Sequence, residues 1–347
     1  MAKLKYSKPP LDSSEQLDLL GGRGLFISDE LRAIRYLENI GYYRLSPYLI
    51  PFEEKSDGGS RKHQLKNGIS FDKILNIYLF DRKLRHLLLE IIERIEISFR
   101  AWWVNVMSEK TKDSHFYLKS NNFMNILSSS LSDKRICYNS LLNNIEDKVN
   151  DVERKIKEEK AVKEISIKSY LEKYSSPRFP PTWVVAEYLT FGEFSMWYSI
   201  TQSKSYKKKI ANKLGIPSGD LMQTVLKCLT DIRNMCSHHE RLYGTRMVAY
   251  PPLLDKYKQA MNIVIQKEET KEYEKADNSV YNYIVIAVLM LMKINPKSTW
   301  IDRLINITKI KNENGELIHN KDIDLKYLGF PSDWESRLKK TIKLAIM

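Results

Sequence analysis

The chain has 347 residues, with 56 lysines and arginines against 43 aspartates and glutamates, giving a formal net charge of +13 and a pI near 9.3. Hydrophobic residues make up 43% of it and aromatics 11%, which excludes wholesale disorder, and 13 glycines with 12 prolines are too few for the turns of an all-β sandwich or barrel. The positive balance points to polyanionic partners, and three cysteines without a CxxC pair fit a reduced, cytoplasmic setting with no structural zinc; separately, no other metal and no cofactor is expected.

Window by window, the positive surplus is spread along the chain and no tail carries it. The N-terminus turns polar before it could form the apolar core of a signal peptide. The first predicted helix starts at Ser28, Asp29 and Glu30, with Leu31, Ile34 and Leu37 as its stripe, and Gly41 ends it. Gly41 to Phe52, rich in aromatics around Pro47 and Pro51, reads as an irregular connector. A loop over Ser56 to Asn67 follows and carries Arg61, Lys62, His63 and Lys66. From Phe71 to about Met107, apolar residues at Ile74, Ile77/Tyr78, Leu84, Leu87/Leu88, Ile91/Ile92, Ile95 and Phe99 predict one long amphipathic helix. Ser132 to Tyr174 reads as a charged helical hairpin or a projecting helix.

Ser175 to Pro181, SSPRFPP, is the clearest break. After it Thr182 caps a helix to Leu189, Gly192 interrupts, and Glu193 to Ser203 resumes. Ser218 or Asp220 caps the next helix, which carries Leu221, Val225, Leu226, Leu229 and Ile232. Helices are predicted near 253–267, 278–294 and 298–309, and from Ser332 onward. Val280 to Ile294 is the most apolar stretch; it falls short of the roughly 20 residues that span a bilayer and contains Asn282, so it reads as a buried helix. The expectation is an all-α chain: a helical core over 20–250, with charged helices projecting near 132–174, and a helical extension over 251–347 packed on it.

Two sets of basic residues are candidate phosphate contacts. Phe194 to Gly219 holds Lys204, Lys207, Lys208, Lys209 and Lys213 without an acid, and Arg61 and Lys62 lie in the early loop. A lysine run equally suits a solvated helix face. Arg94 and Arg100 could face RNA or a second copy, although Glu90 and Glu96 are placed for i,i+4 ion pairs with them.

The densest chemistry lies at Asp231 to Gly244, DIRNMCSHHERLYG, directly after an apolar-periodic helix. It gathers Arg233, Asn234, His238, His239, Glu240 and Arg241. On an ideal helix Asn234, His238 and Arg241 share a stripe, and Asn234 could fix the tautomer of His238. Arg233 and His238 converge only if the helix end distorts or a second copy faces the first across a dimer axis. Such a cleft suits metal-free RNA cleavage. Histidine serves as general acid or base, and arginine stabilises the pentacoordinate phosphorane. The bland alternative is electrostatic decoration of a helix C-terminus.

RNMCSHHERLYG resembles the R-N-x-x-x-H-H-x-R-L signature of the Abi-like, abortive-infection proteins of AbiD and AbiF type, within the HEPN superfamily of helical ribonucleases. Phe179 to Tyr198 resembles the family's P-P-x-W block, Tyr78 to Arg100 its N-terminal helix block, and GYYRLSPYLIPF its opening motif. Together these blocks span roughly 20–250. The sequence departs from the family at Gly244, where Asn is common, and at Met222, where Trp is common. The resemblance implies a HEPN-type helical bundle and a metal-independent endoribonuclease or toxin in antiviral defence. It further implies dimerisation around the motif and a small structured RNA as antitoxin-like partner. Carried over by position, Arg233 and His238 are the catalytic pair and Asn234 the polar second residue, with His239 and Arg241 in the extended block. In the P-P-x-W block, Trp183 is expected in the core and Glu187 to orient Arg233 or His238. The alternative is a non-catalytic RNA-binding module.

Overall fold

The computed structural model describes residues 5, 7–54, 61, 63–124, 137–268 and 271–346. In chain order the helices are α1 (Ser13–Gly22), α2 (Glu30–Ile40), α3 (Tyr42–Leu45), α4 (Phe71–Thr111), α5 (Tyr138–Lys157), α6 (Ile165–Lys173), α7 (Thr182–Val185), α8 (Phe191–Ile200), α9 (Lys204–Lys213) and α10 (Gly219–Ser237). Strands β1 (Ile263–Glu268) and β2 (Lys271–Ala276) follow, then α11 (Val280–Ile294) and α12 (Trp300–Ile307), strands β3 (Lys309–Lys311) and β4 (Leu317–His319), and α13 (Trp334–Ile346). The chain is helical, as its sequence implies, with two small antiparallel hairpins added. Among the described residues no helix is long and apolar enough to cross a membrane.

The residues form two compact units, one from 1–87, 235–246 and 302–331, the other from 88–234, 247–301 and 332–347. The long helices α4 and α10 each run from one unit into the other.

In the first unit, α1 packs against α2, whose N-cap is Asp29; the neighbouring Ser28 hydroxyl donates to Asp72 instead. The buried stripe of α2 is Ala33 and Leu37, and Leu31 is exposed. The segment after Gly41 is not irregular. It forms α3 and two further helical turns, which bury Leu45, Tyr48, Leu49 and Phe52. The sequence masked this because prolines at 47 and 51 occupy first-turn positions, where a missing N–H costs nothing.

In the second unit, the α4 stripe continues through Ile91, Ile95, Phe99 and Trp103 into an aromatic core. Phe99 meets Phe194 and Tyr198 edge-on at 5.5 and 5.3 Å, and the Trp103 indole donates to Thr201 at 3.1 Å. Helices α5 and α6 form the expected hairpin but do not project. Helix α5 packs on α6 and α8 and buries Leu141, Ile145, Val149 and Val152. Residues 132–136 lie outside the described residues.

Thr182 is not a cap. It is the first residue of α7, and its hydroxyl donates to the Ser114 carbonyl at 2.8 Å. Nor does Gly192 interrupt; it lies in the first turn of α8, which Thr190 caps in a reciprocal box with Glu193. At α10 it is Ser218 that caps, accepting the Leu221 amide.

The C-terminal stretch holds the main departure from an all-helical reading. Where 253–267 reads as helix, residues Asp255–Ala260 form a short helical segment and Ile263–Glu268 pair with Lys271–Ala276. The β-branched run Ile263, Val264, Ile265 favours a pleated strand once a partner lies beside it. Likewise α12 stops at Ile307, and Lys309–Lys311 pair with Leu317–His319. Helix α11 is buried from Val280 to Met292, with Asn282 bonded to Asn262 and Asp277.

Candidate functional site

The R-N-x-x-x-H motif spans the end of α10. The helix closes at Ser237, and the chain then reverses in two bonds: the His239 amide donates to the Cys236 carbonyl at 3.2 Å and the Glu240 amide to the Met235 carbonyl at 2.8 Å. This pair is a Schellman C-cap, a position usually filled by glycine because it requires the left-handed backbone region. Here His239 occupies it, with φ of 60°. A side chain there costs roughly 1 kcal/mol.

A set of buried polar side chains from the first unit fixes the turn. Asp81, on the apolar stripe of α4, is fully buried, and four donors converge on it. Its Oδ1 accepts the Tyr243 amide at 3.0 Å. Its Oδ2 accepts the Leu242 amide at 3.2 Å, the Tyr48 hydroxyl at 2.6 Å and the Arg85 guanidinium at 2.5 Å. Burial pushes the Asp81 carboxyl up, against the pull of the phenol, the guanidinium and the two amides. Since every one of these partners is a donor, the group binds as a carboxylate. Burial and the Asp81 charge push the Tyr48 phenol up, so it stays a donor.

The same cluster reaches the turn's carbonyls. Arg85 also donates to Glu240 O at 3.3 Å, and Arg44 donates to His239 O at 2.7 Å. Arg241 turns away from the α10 stripe on which it was expected, because the C-cap ends the helix before it. Its guanidinium donates to Pro47 O at 2.7 Å and lies 6.0 Å from the Tyr48 ring centroid. Gly244 closes the segment at φ of 73°, with its amide on Tyr327 O. That conformation admits glycine or asparagine, which accounts for this departure from the family pattern.

Asp81, Arg85 and Tyr48 lie outside the sequence motif that marks the site. The available signal was a charged residue on an apolar stripe: Asp81 falls between Ile77 and Leu84 at helical spacing, where a core residue belongs.

Residues 35–244 match the family described as Abi-like protein. The chain belongs to the Abi-like family. Membership implies a part in abortive-infection defence against phage. No curated protein and no solved structure gives a match.

In this Abi-like protein, Arg233 is half-buried on α10 and donates to the Asn234 side-chain oxygen at 3.4 Å, so the bond expected to orient His238 goes to Arg233 instead. His238 and His239 are exposed at the turn. Glu187, expected to orient the motif, is exposed; its ion pair is with Arg100, at 3.9 Å.

The basic candidates divide by what holds them. Lys207 is buried and cannot contact a phosphate; its ammonium donates to Ser199 O at 3.1 Å beneath the Tyr198 ring. Arg100 is bound to Glu96 at 2.9 Å and to Leu189 O, and stacks on Phe194, so it serves the core of its unit. Arg94 pairs with Glu90 at 3.6 Å and Arg61 with Glu53. Lys209 pairs with Glu109, and Lys213 lies 4.6 Å from the Trp102 ring centroid. Lys204 and Lys208 remain exposed, and Lys62 lies outside the described residues. Trp183, expected in the core, is 51% exposed, since α7 is a single turn that buries only Thr182 and Val185.

Proposed function

We propose that this Abi-like protein is a metal-independent endoribonuclease that cuts RNA during abortive infection, with Arg233 and His238 as its catalytic pair. The observation that carries the reading is the His239 backbone. A non-glycine residue is held in the left-handed region next to the motif histidine, with the buried Asp81 of α4 on amides just after the turn and the exposed Arg44 of α3 on the His239 carbonyl. Strain that is over-determined in this way is characteristic of sites that need a fixed geometry.

The chemistry is in-line attack by a ribose 2′-OH on the adjacent phosphorus. The 2′-OH gives up its proton to a base, the P–O5′ bond breaks, and the leaving 5′-oxygen takes a proton. The ends are a 2′,3′-cyclic phosphate and a 5′-OH. His238 serves as base or acid, and the Arg233 fork stabilises charge on the phosphorane. Two proton transfers call for two groups, and a homodimer that joins two copies of the motif supplies a second His238. Exposed lysines hold the strand, and a small structured RNA restrains the enzyme as partner.

Purified wild type and His238→Ala are compared on a mixed-sequence RNA with EDTA present, reading cyclic-phosphate ends. The expected loss in the variant is at least about a hundredfold. Equal activity, or activity that EDTA abolishes, overturns the mechanism. Salt-dependent RNA binding by the wild type without cyclic-phosphate ends leaves an RNA-binding module instead.

A further inference from the structure

The exposed Trp183 lines an open cavity of about 500 Å³ within the second unit. Its walls include Tyr174, Lys173, Ser169 and His115, and no carboxylate lines it among the described residues. Tyr174 is 48% exposed, and Lys173 lies 5.3 Å from its ring centroid. Large aromatics half open to solvent lose burial free energy that the fold could have gained, and two of them line this one cavity.

We propose that this cavity takes one unpaired nucleobase of an RNA strand, with the base stacked on the Trp183 indole. The inference rests on RNA being the ligand of this protein, as proposed above. The volume lies in the range of small-molecule pockets. An indole face accepts any base by stacking, and the seryl hydroxyls of the lining supply donors and acceptors for a base edge. The lysine and the lack of carboxylates favour a polyanion over an acidic-residue-seeking protein partner. A duplex keeps its bases stacked inside, so the cavity selects single strands.

The test measures anisotropy of a fluorescein-labelled, single-stranded 2′-O-methyl RNA and of the same sequence as a duplex. The ligands are offered to wild type, Trp183→Ala and Trp183→Phe. Without a 2′-OH the probe cannot be cut, so the result does not depend on His238. Trp183→Ala is expected to bind the single strand about tenfold more weakly, Trp183→Phe within about threefold of wild type, and all three to bind the duplex alike. The Trp183→Ala deficit is the same at low and high salt, because stacking releases no counterions. Should Trp183→Ala fail to fold, the half-exposed Tyr174→Ala carries the same expectation. The proposal is overturned if the alanine variant binds the single strand like wild type, if single strand and duplex weaken equally, or if the wild type binds no single strand. Cleavage that fails while the Trp183 effect stands refutes the nuclease reading alone.

Discussion

Asp81 Oδ1 accepts the backbone amide of Tyr243 at 3.0 Å across 162 positions of sequence. The bond ties the middle of α4 to the chain just past the histidine pair, and its carboxylate also neutralises Arg85, itself buried. The turn after α10 is therefore held by a charge that only the folded first unit surrounds.

Removing that charge leaves a buried guanidinium without a counterion. Asp81→Ala is expected to lose about 3–5 kcal/mol of stability. Tyr48→Phe, which deletes one donor and keeps the ring, is expected to lose about 1 kcal/mol. Urea unfolding at neutral pH measures both. A loss below 1 kcal/mol in Asp81→Ala would show that the cluster is solvated and does not hold the turn.

How much of this was legible in the sequence depends on whether position alone or the fold decides a residue's role. Helices α4, α10 and α11 were legible because their apolar spacing repeats over many turns, and the 233–244 motif because its residue types are rare together. Lys207 and Lys208 are identical in sequence terms; one is buried and the other exposed, and only the packing of α9 separates them. The run Ile263 to Ile265 does not announce a strand because a short apolar run has no period of its own, and its strand exists through pairing with Lys271–Ala276. The Schellman turn at His239 was invisible because histidine is not the residue that signals it.

The lysines of α9 give a paired prediction. Gly219 has no room for a Cβ, which would meet the Lys207 Cβ at 2.8 Å, so Lys207 is packed against the start of α10. Lys207→Ala is expected to cost on the order of 1–3 kcal/mol of stability and to leave RNA affinity unchanged. Lys204→Gln with Lys208→Gln is expected to do the reverse, with the melting point unchanged and the salt slope of RNA binding reduced by about two. Thermal melts and an anisotropy series over salt concentration separate the two. An unchanged slope in the double variant removes the exposed face of α9 from the RNA-binding surface.

Glu193 gives the pH dependence. Burial pushes its carboxyl up, but the Lys148 ammonium at 2.8 Å and the Thr190 amide at 2.7 Å outweigh that and hold it below the usual glutamate range. A carboxylate with a lowered folded-state pKa contributes stability that is fully present above its unfolded value, and this stability is lost as pH falls through the folded value. Glu193→Gln removes the ion pair and weakens the N-terminal cap of α8. It is expected to cost about 1–2 kcal/mol at neutral pH. Toward pH 3 the wild-type carboxyl begins to take up a proton as well, and the gap between the two proteins narrows. Urea titrations at the two pH values check this. A gap that stays constant means that the Glu193 charge contributes nothing, and a gap that widens on acidification means that its pKa is raised by folding.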